Sequence, residues 1–154
     1  MNPIQTKAID YLSRRDHSTK ELQTKLAQHF TDSEQIQSVL ADLKTAGYLS
    51  DTRFIEGRIR HRLSQGYGRL RILQELTQVH GYDRTEVNSA FAQLSETESD
   101  DPELTQLSQL IDKKFPDFDP QNKIAAQKII QKLLQRGFNH DLIRKFVKHR
   151  QHMV

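Results

Sequence analysis

The sequence predicts an all-α fold, and three observations lead to that prediction. Apolar residues recur every three or four positions along most of the chain, as Ile36, Leu40 and Leu43 illustrate, and this is the spacing of one face of an α-helix. No segment sustains the period-two alternation that is typical of a β-strand. Glycines and helix-start sequences separate the periodic segments. We therefore expect helices throughout the chain.

Start and stop signals divide the chain into nine predicted helices. Four start signals place a side-chain acceptor at the cap and a favourable residue in the first turn: Ser18 with Glu21, Asp83 with Glu86, Asp101 with Pro102, and Asp119 with Pro120. Glycines, which tolerate a left-handed cap, follow four of the helices: Gly47, Gly66, Gly81 and Gly137. The predicted helices span about residues 3–15, 18–29, 32–46, 51–65, 68–80, 83–95, 102–114, 120–136 and 139–150.

Composition excludes several classes of protein. Among the 154 residues there is no cysteine, which excludes disulfides and cysteine-ligated metal sites. No apolar run approaches the roughly 20 residues that a membrane helix needs, so we expect a soluble, cytoplasmic protein. His149 and His152 lack an evident third ligand, and no nucleophile or nucleotide-binding motif is present. We expect a monomer that is not an enzyme and that uses no metal or cofactor.

The net charge of +3 conceals strong segmental differences. Residues 1–50 are neutral and residues 51–94 carry a net charge of +2, with six arginines between Arg53 and Arg71. Residues 95–120 carry −6, and residues 121–154 carry +7. Two basic segments therefore flank an acidic one, a pattern that suits a polyanionic or acidic partner. A simple solvated face is the alternative for each basic segment.

Weak internal repetition groups the nine helices into three units of three. The pairs Leu22/Leu26, Ile72/Leu76 and Ile129/Leu133 each place two apolar residues four positions apart in the helix before a turn. Short helices with narrow apolar faces bury more surface when they stack as a tandem array. We predict units at residues 1–50, 51–95 and 96–154, the third beginning with an acidic linker.

Four motifs in register carry a family resemblance. They are Arg15-Asp16-His17-Ser18-x-x-Glu21-Leu22-x-x-Lys25-Leu26, Gly47-Tyr48-Leu49-x-Asp51-x-Arg53-Phe54, Arg62-x-x-x-Gly66-Tyr67-Gly68 and Ile72-x-x-Glu75-Leu76. Their order and spacing resemble the RecX family, bacterial regulators of the RecA recombinase. Arg69 departs from the family pattern, which commonly has proline there.

The resemblance implies a fold and a partner. It implies an elongated, curved array of three-helix repeats that lodges in the groove of the RecA filament on single-stranded DNA. It also implies that the protein damps RecA activity in homologous recombination, DNA repair and the SOS response. Direct contact with single- or double-stranded DNA is an open alternative, in which the protein binds DNA without RecA.

The candidate partner-binding residues are the exposed cations of the two basic segments. Arg53 and Arg60 lie opposite the apolar face of the fourth helix, so we expect both to be free for a partner. The full set is Arg53, Arg60, Arg62, Arg69, Arg71, Lys128, Lys132, Arg136, Arg144, Lys145 and Lys148. For Arg62 a structural role is the favoured alternative, with its stem packed and its guanidinium paired. Tyr48, Tyr67 and Tyr82 are expected to close helix ends, with base stacking as the alternative.

Overall fold

A computed structural model describes residues 2–97 and 101–152, and all its regular elements are α-helices. Within those residues the chain forms nine helices and no β-strand, which confirms the all-α prediction. They are α1 (Pro3–Arg14), α2 (Thr19–Ala27), α3 (Ser33–Thr45), α4 (Asp51–Ser64), α5 (Arg69–Gln78), α6 (Arg84–Thr97), α7 (Pro102–Lys114), α8 (Lys123–Gln135) and α9 (His140–His152). None of the described helices has both the length and the apolar character needed to cross a bilayer.

Side-chain caps set most of the helix starts. Ser18 accepts a hydrogen bond from the Glu21 amide at 3.0 Å, as the capping box predicts. The predicted start of α8 at Pro120 is wrong, because α8 begins at Lys123. There Asn122 caps the helix through the amide of Ala125, while the Asp119 side chain accepts from Gln121 and closes the preceding turn. An acceptor followed by proline thus starts a turn here rather than a helix.

The helices pack as three bundles with separate cores. The N-terminal bundle is α1–α3, the central bundle is α4–α6 and the C-terminal bundle is α7–α9, and each buries its own apolar cluster. The molecule exposes 9845 Å², whereas a compact monomer of 18 kDa exposes about 8,000 Å². This excess surface fits an extended array of small bundles. The unit boundaries proposed at residues 50 and 95 stay a prediction.

Polar side chains join the N-terminal and central bundles. Asp51, the first residue of α4, accepts hydrogen bonds from the amide and hydroxyl of Thr19 at 3.0 and 2.7 Å. The Tyr82 hydroxyl, from the loop before α6, donates to the same carboxylate. Arg53 pairs with Asp16 at 2.9 Å. One carboxylate at the start of α4 therefore gathers α2 and the loop that follows α5 around it.

Backbone contacts join the central and C-terminal bundles. The amide of Gly68 donates to the carbonyl of Arg136 at 2.7 Å, and the amide of Leu70 donates to the carbonyl of Gly137 at 3.0 Å. A Cβ on Gly68 would lie 2.4 Å from the carbonyl carbon of Gly137. Gly137 itself has φ +96°, in the left-handed region that favours glycine. The start of α5 and the end of α8 thus meet at a distance that only glycine permits.

Gly68→Ala is expected to split this joint, because the added methyl group overlaps backbone atoms that cannot move aside. We expect a loss of about 1–3 kcal/mol in the free energy of unfolding, measured by urea denaturation. Gly57→Ala is the matched control, since nothing lies within 4 Å of a Cβ at that helical position. The control is expected to gain up to about 1 kcal/mol. Equal stabilities for the two variants would contradict the close approach at Gly68.

Candidate binding surface between the central and C-terminal bundles

Two aromatic rings and three cations meet where the central and C-terminal bundles join. The guanidinium of Arg71 lies 4.7 Å from the ring centroid of Tyr67, and that of Arg136 lies 6.0 Å from the same ring. The ammonium of Lys132 lies 5.7 Å from the ring centroid of Phe115. All five side chains line one open groove of about 450 Å³. We call this set the joint surface.

Each arginine of the joint surface reaches the backbone of the opposite bundle. Arg71, on α5, donates to the carbonyl of Gln135 at the end of α8. Arg136, just after α8, donates to the carbonyl of Gly66, just after α4. A cation beside the last carbonyls of a helix is favoured by the helix dipole. The two guanidiniums are thereby held in place over the Tyr67 ring.

The cations of the joint surface lack neutralising partners. Among the described residues, no carboxylate lies within ion-pair distance of Arg71, Lys132 or Arg136. Lys113 and Lys114, at the end of α7, line the neighbouring groove that also contains Tyr67. Glu75 lines an adjoining groove with Tyr67 and Arg71. Because the like charges that converge here have no ion-pair partner in the described part of the chain, the surface favours an anionic partner.

The arginines of α4 are placed differently from the prediction. Arg53 is not free, because it pairs with Asp16 and also donates to the carbonyl of Tyr48 at 3.0 Å. Arg62 donates to Glu75 at 2.7 Å. This contact agrees with the alternative favoured for Arg62 in the sequence analysis, a paired guanidinium with a structural role. Arg60 is exposed on α4. The prediction missed that α3 ends beside Arg53, because a helical wheel shows only one helix.

Arg69 lines a different cleft from the joint surface. Its guanidinium donates to Asn88 at 2.9 Å and lies 4.6 Å from the ring centroid of Phe91. Arg69 was predicted to contact a partner, but these contacts within the chain already engage its side chain. Its amide donates to the buried carboxylate of Glu103 at 3.1 Å. The chain itself therefore supplies an acceptor for this helix start.

Glu103 is the residue that sequence analysis missed most clearly. The pattern Asp101-Pro102-Glu103 indicated only a solvated helix start, yet Glu103 is 7% exposed. Burial raises the pKa of Glu103 to about 7, against the opposing effect of the Arg69 amide. No local pattern marks this residue, because its partner lies 34 positions earlier in the chain.

The remaining predicted cations lie on α8 and α9, outside the joint surface. Lys128 is exposed on α8, and Lys145 and Lys148 are exposed on α9. Arg144 lies 3.4 Å from Asp141 on the same helix, in an exposed pair that contributes little to stability. Lys145 also lines a cleft beside Glu103, away from Tyr67. The structure therefore brings together Arg71, Lys132 and Arg136, and leaves the other cations outside that groove.

A serine and a histidine meet at the joint between the N-terminal and central bundles, but their geometry is structural. Ser18 Oγ lies 3.2 Å from Nδ1 of His80, whose Nε2 is 3.8 Å from Glu75. This order is the one that activates a nucleophile in hydrolases. Here Ser18 is fully buried and caps α2, so no substrate reaches its hydroxyl. Burial lowers the pKa of His80, and the nearby Arg58 lowers it further.

Fold and surface together define a class: a helical-repeat protein with an anion-attracting surface assembled at a joint between bundles. Residues 6–43 match the family model described as RecX, first three-helix domain, and residues 101–147 match RecX, third three-helix domain. The chain therefore meets two of the family's domain models in the expected order.

Similar proteins identify the family. The chain is 34% identical to the regulatory protein RecX of Stenotrophomonas maltophilia (strain K279a), over 96% of this chain and 86% of that one. It is 37% identical to the regulatory protein RecX of Legionella pneumophila (strain Corby), over 93% and 94%. The crystal structure of RecX from Lactobacillus salivarius has the same fold, with a TM-score of 0.74, 20% identity and coverage of 98% and 96%. The chain belongs to the RecX family of regulatory proteins.

Acid is expected to loosen the joint between the N-terminal and central bundles. Burial lowers the pKa of both His17 and His80, so the unfolded chain binds protons more readily than the folded one. Stability is thus fully present above the ordinary histidine pKa of about 6.5 and is lost as the pH falls below it. His80→Gln cannot be protonated, so its urea midpoint should fall less between pH 7.5 and pH 5.5 than that of the wild type.

The exposed His61 supplies the matched control for that measurement. His61→Gln is expected to show the same fall in urea midpoint as the wild type. If His80→Gln also shows the full wild-type fall, His80 does not contribute to the acid sensitivity.

Proposed function

We propose that the protein binds the RecA filament on single-stranded DNA and inhibits its recombinase, ATPase and coprotease activities. The proposal is supported by membership of a family whose members are named regulatory proteins. It is also supported by the resemblance of the four sequence motifs to regulators of RecA. In this role the protein acts by docking, as a monomer in the cytoplasm, and carries out no reaction of its own.

The observation that carries the proposal is the joint surface. Arg71, Lys132 and Arg136 converge without carboxylate partners around Tyr67 and Phe115. A cation stacked on a ring and held by the opposite backbone loses little freedom on binding, so the surface is preorganised for an anionic partner. A repetitive filament groove lined with acidic side chains or phosphates is a partner of that kind.

The extended array suggests how docking limits the filament. We propose that the three bundles in a row, the units 1–50, 51–95 and 96–154, contact neighbouring RecA subunits at once. A bridge that fits one arrangement of those subunits better than another opposes the change in arrangement that accompanies ATP turnover. The exposed Lys128, Lys145 and Lys148 add electrostatic attraction elsewhere on the C-terminal bundle.

Neutralising the joint surface is expected to weaken inhibition of RecA. We expect the wild-type protein to slow DNA-dependent ATP hydrolysis by RecA at substoichiometric amounts. The combined variant Arg71→Gln, Lys132→Gln and Arg136→Gln should raise the half-inhibitory concentration by about ten-fold or more, because three charge contacts of about 0.5–1 kcal/mol each are lost.

A control variant of equal charge separates the surface from net charge. Arg14→Gln, Lys20→Gln and Arg84→Gln remove three exposed cations from the N-terminal and central bundles, outside the joint surface. This variant is expected to inhibit within about two-fold of the wild type. Unchanged ATP hydrolysis and unchanged filament length with the wild-type protein would overturn the proposed function. If both variants lose inhibition to the same extent, the joint surface is not the part of the protein that inhibits RecA.

A second candidate function is sequence-indifferent DNA binding without RecA. Unneutralised cations beside half-buried rings are the combination with which proteins hold single strands, through phosphate contacts and base stacking. Tyr67 and Phe115 both retain partial exposure. This observation makes direct DNA binding worth testing by itself.

Under this second candidate, the protein alone should retard a labelled single strand in a mobility-shift assay. Affinity should fall steeply as salt concentration rises, because phosphate contacts release counterions. The combined variant Lys132→Gln, Arg136→Gln, Lys145→Gln and Lys148→Gln should weaken binding for every strand sequence alike. Inhibition of RecA by a protein that shows no retardation at low salt would favour the first function.

A further inference from the structure

The start of α5 is capped entirely by another bundle. Gly68 precedes α5 and offers no side-chain cap. Three consecutive amides there, of Gly68, Arg69 and Leu70, instead donate to Arg136, Glu103 and Gly137 of the C-terminal bundle. Amides at a helix start have no partner within their own helix. The C-terminal bundle therefore satisfies all three at once, and separation of the bundles breaks all three bonds together.

Glu103 occupies the centre of this arrangement. Its carboxylate is the one ionisable acceptor of the three, and it lines a cleft of about 200 Å³ between the bundles. Apolar side chains of α4 and α6, including Ile59, Leu63 and Phe91, line that cleft together with polar groups of α7 and α9. Because Glu103 is itself only 7% exposed, its ionised carboxylate is poorly solvated, whereas the neutral acid still accepts a hydrogen bond from the Arg69 amide.

The charged groups around Glu103 do not offset the effect of burial on its pKa. Asp101 lies on the same helix start and disfavours a second negative charge, and Arg69 opposes that effect. From α9, Asp141 and Lys145 line the same cleft with opposite signs. Glu103 has no ion-pair partner within 4.0 Å among the described residues. Its burial thus dominates, in line with a pKa of about 7.

We propose that the joint between the central and C-terminal bundles opens and closes as a unit, and that ionisation of Glu103 favours the open form. The open form separates Tyr67 and Arg71 from Lys132 and Arg136, so it divides the joint surface in two. Protonation restores the closed form and reassembles that surface. The inference deepens the proposed function by adding a regulator of the same surface, and only its link to RecA depends on that function.

The direction and size of the effect follow from proton linkage. In the open form Glu103 is solvated and ionises near its ordinary pKa, whereas in the closed form it ionises near pH 7. Between pH 6 and pH 8 the equilibrium constant for opening should therefore rise by about ten-fold. Below about pH 4 and above about pH 8 the opening should be nearly independent of pH.

Hydrogen exchange measures this opening directly, without RecA. The amides of Gly68, Arg69 and Leu70 are followed on the full chain at pH 6, 7 and 8, and rates are corrected for the intrinsic pH dependence of exchange. Protection of these amides in the wild type should fall by about ten-fold from pH 6 to pH 8. In Glu103→Gln, which is similar in shape but cannot ionise, protection should be constant.

Two controls make the result decisive. The amide of Leu22, bonded to the carbonyl of Ser18 in the N-terminal bundle, reports unfolding of the rest of the chain and should not follow the joint. Glu96→Gln, an exposed substitution in α6, should keep the wild-type pH dependence at the joint. Constant protection in the wild type, or an equal fall at Leu22, would overturn the proposal.

The link to RecA has its own measurement. The half-inhibitory concentration for RecA ATP hydrolysis is compared between Glu103→Gln and wild type at each pH, so that RecA's own pH dependence cancels in the ratio. Glu103→Gln should inhibit better than wild type at pH 8, and the difference should be smaller at pH 6. If the ratio of half-inhibitory concentrations is one at both pH 6 and pH 8 while hydrogen exchange behaves as expected, opening of the joint does not affect inhibition of RecA. The proposal that the joint opens with pH would still hold.

Discussion

The three amide groups at the start of α5 make the contacts on which the functional part of the molecule depends. A helix start with no cap of its own is satisfied by a different bundle through Arg136, Glu103 and Gly137. Bonds of this kind require backbone-to-backbone approach, and a Cβ at Gly68 would overlap the opposite chain. The same approach places Arg71 and Arg136 over one tyrosine ring. Bundle docking and formation of the binding surface are therefore one event.

The two joints of the array use different chemistry. Between the N-terminal and central bundles, a single carboxylate at Asp51 accepts from Thr19 and Tyr82. Burial raises the pKa of Asp51, but these hydrogen bonds more than offset burial, so the pKa lies below its ordinary value. Side-chain bonds tolerate small rotations, whereas the backbone contact at Gly68 has little room to adjust. We therefore infer that the second joint closes in a more defined geometry than the first.

Most residues of the recognisable sequence motifs hold the array together rather than face outward. Asp16 pairs with Arg53, Ser18 contacts His80, and Arg62 pairs with Glu75. The unpaired cations Lys132 and Arg136 lie outside those four motifs. The motifs of the family resemblance therefore identified residues that make internal contacts, but not the unpaired cations of the joint surface. The reason is that joints constrain residue type at fixed spacing, whereas an electrostatic surface needs only charge in the right region.

The sequence by itself determined the helical content, most helix ends, the apolar faces and the family. The first three depend on residues within one or two turns of each other, so periodicity and capping are sufficient to predict them. The family depends instead on the order and spacing of four short motifs. Only the tertiary structure decided which cations are used internally, as Arg53 and Arg69 are, and which converge on Tyr67. It alone revealed that Glu103 is buried, because its amide partner belongs to a helix 34 residues away. The sequence shows which side chains are charged or polar, but the packing of the bundles decides which groups surround them.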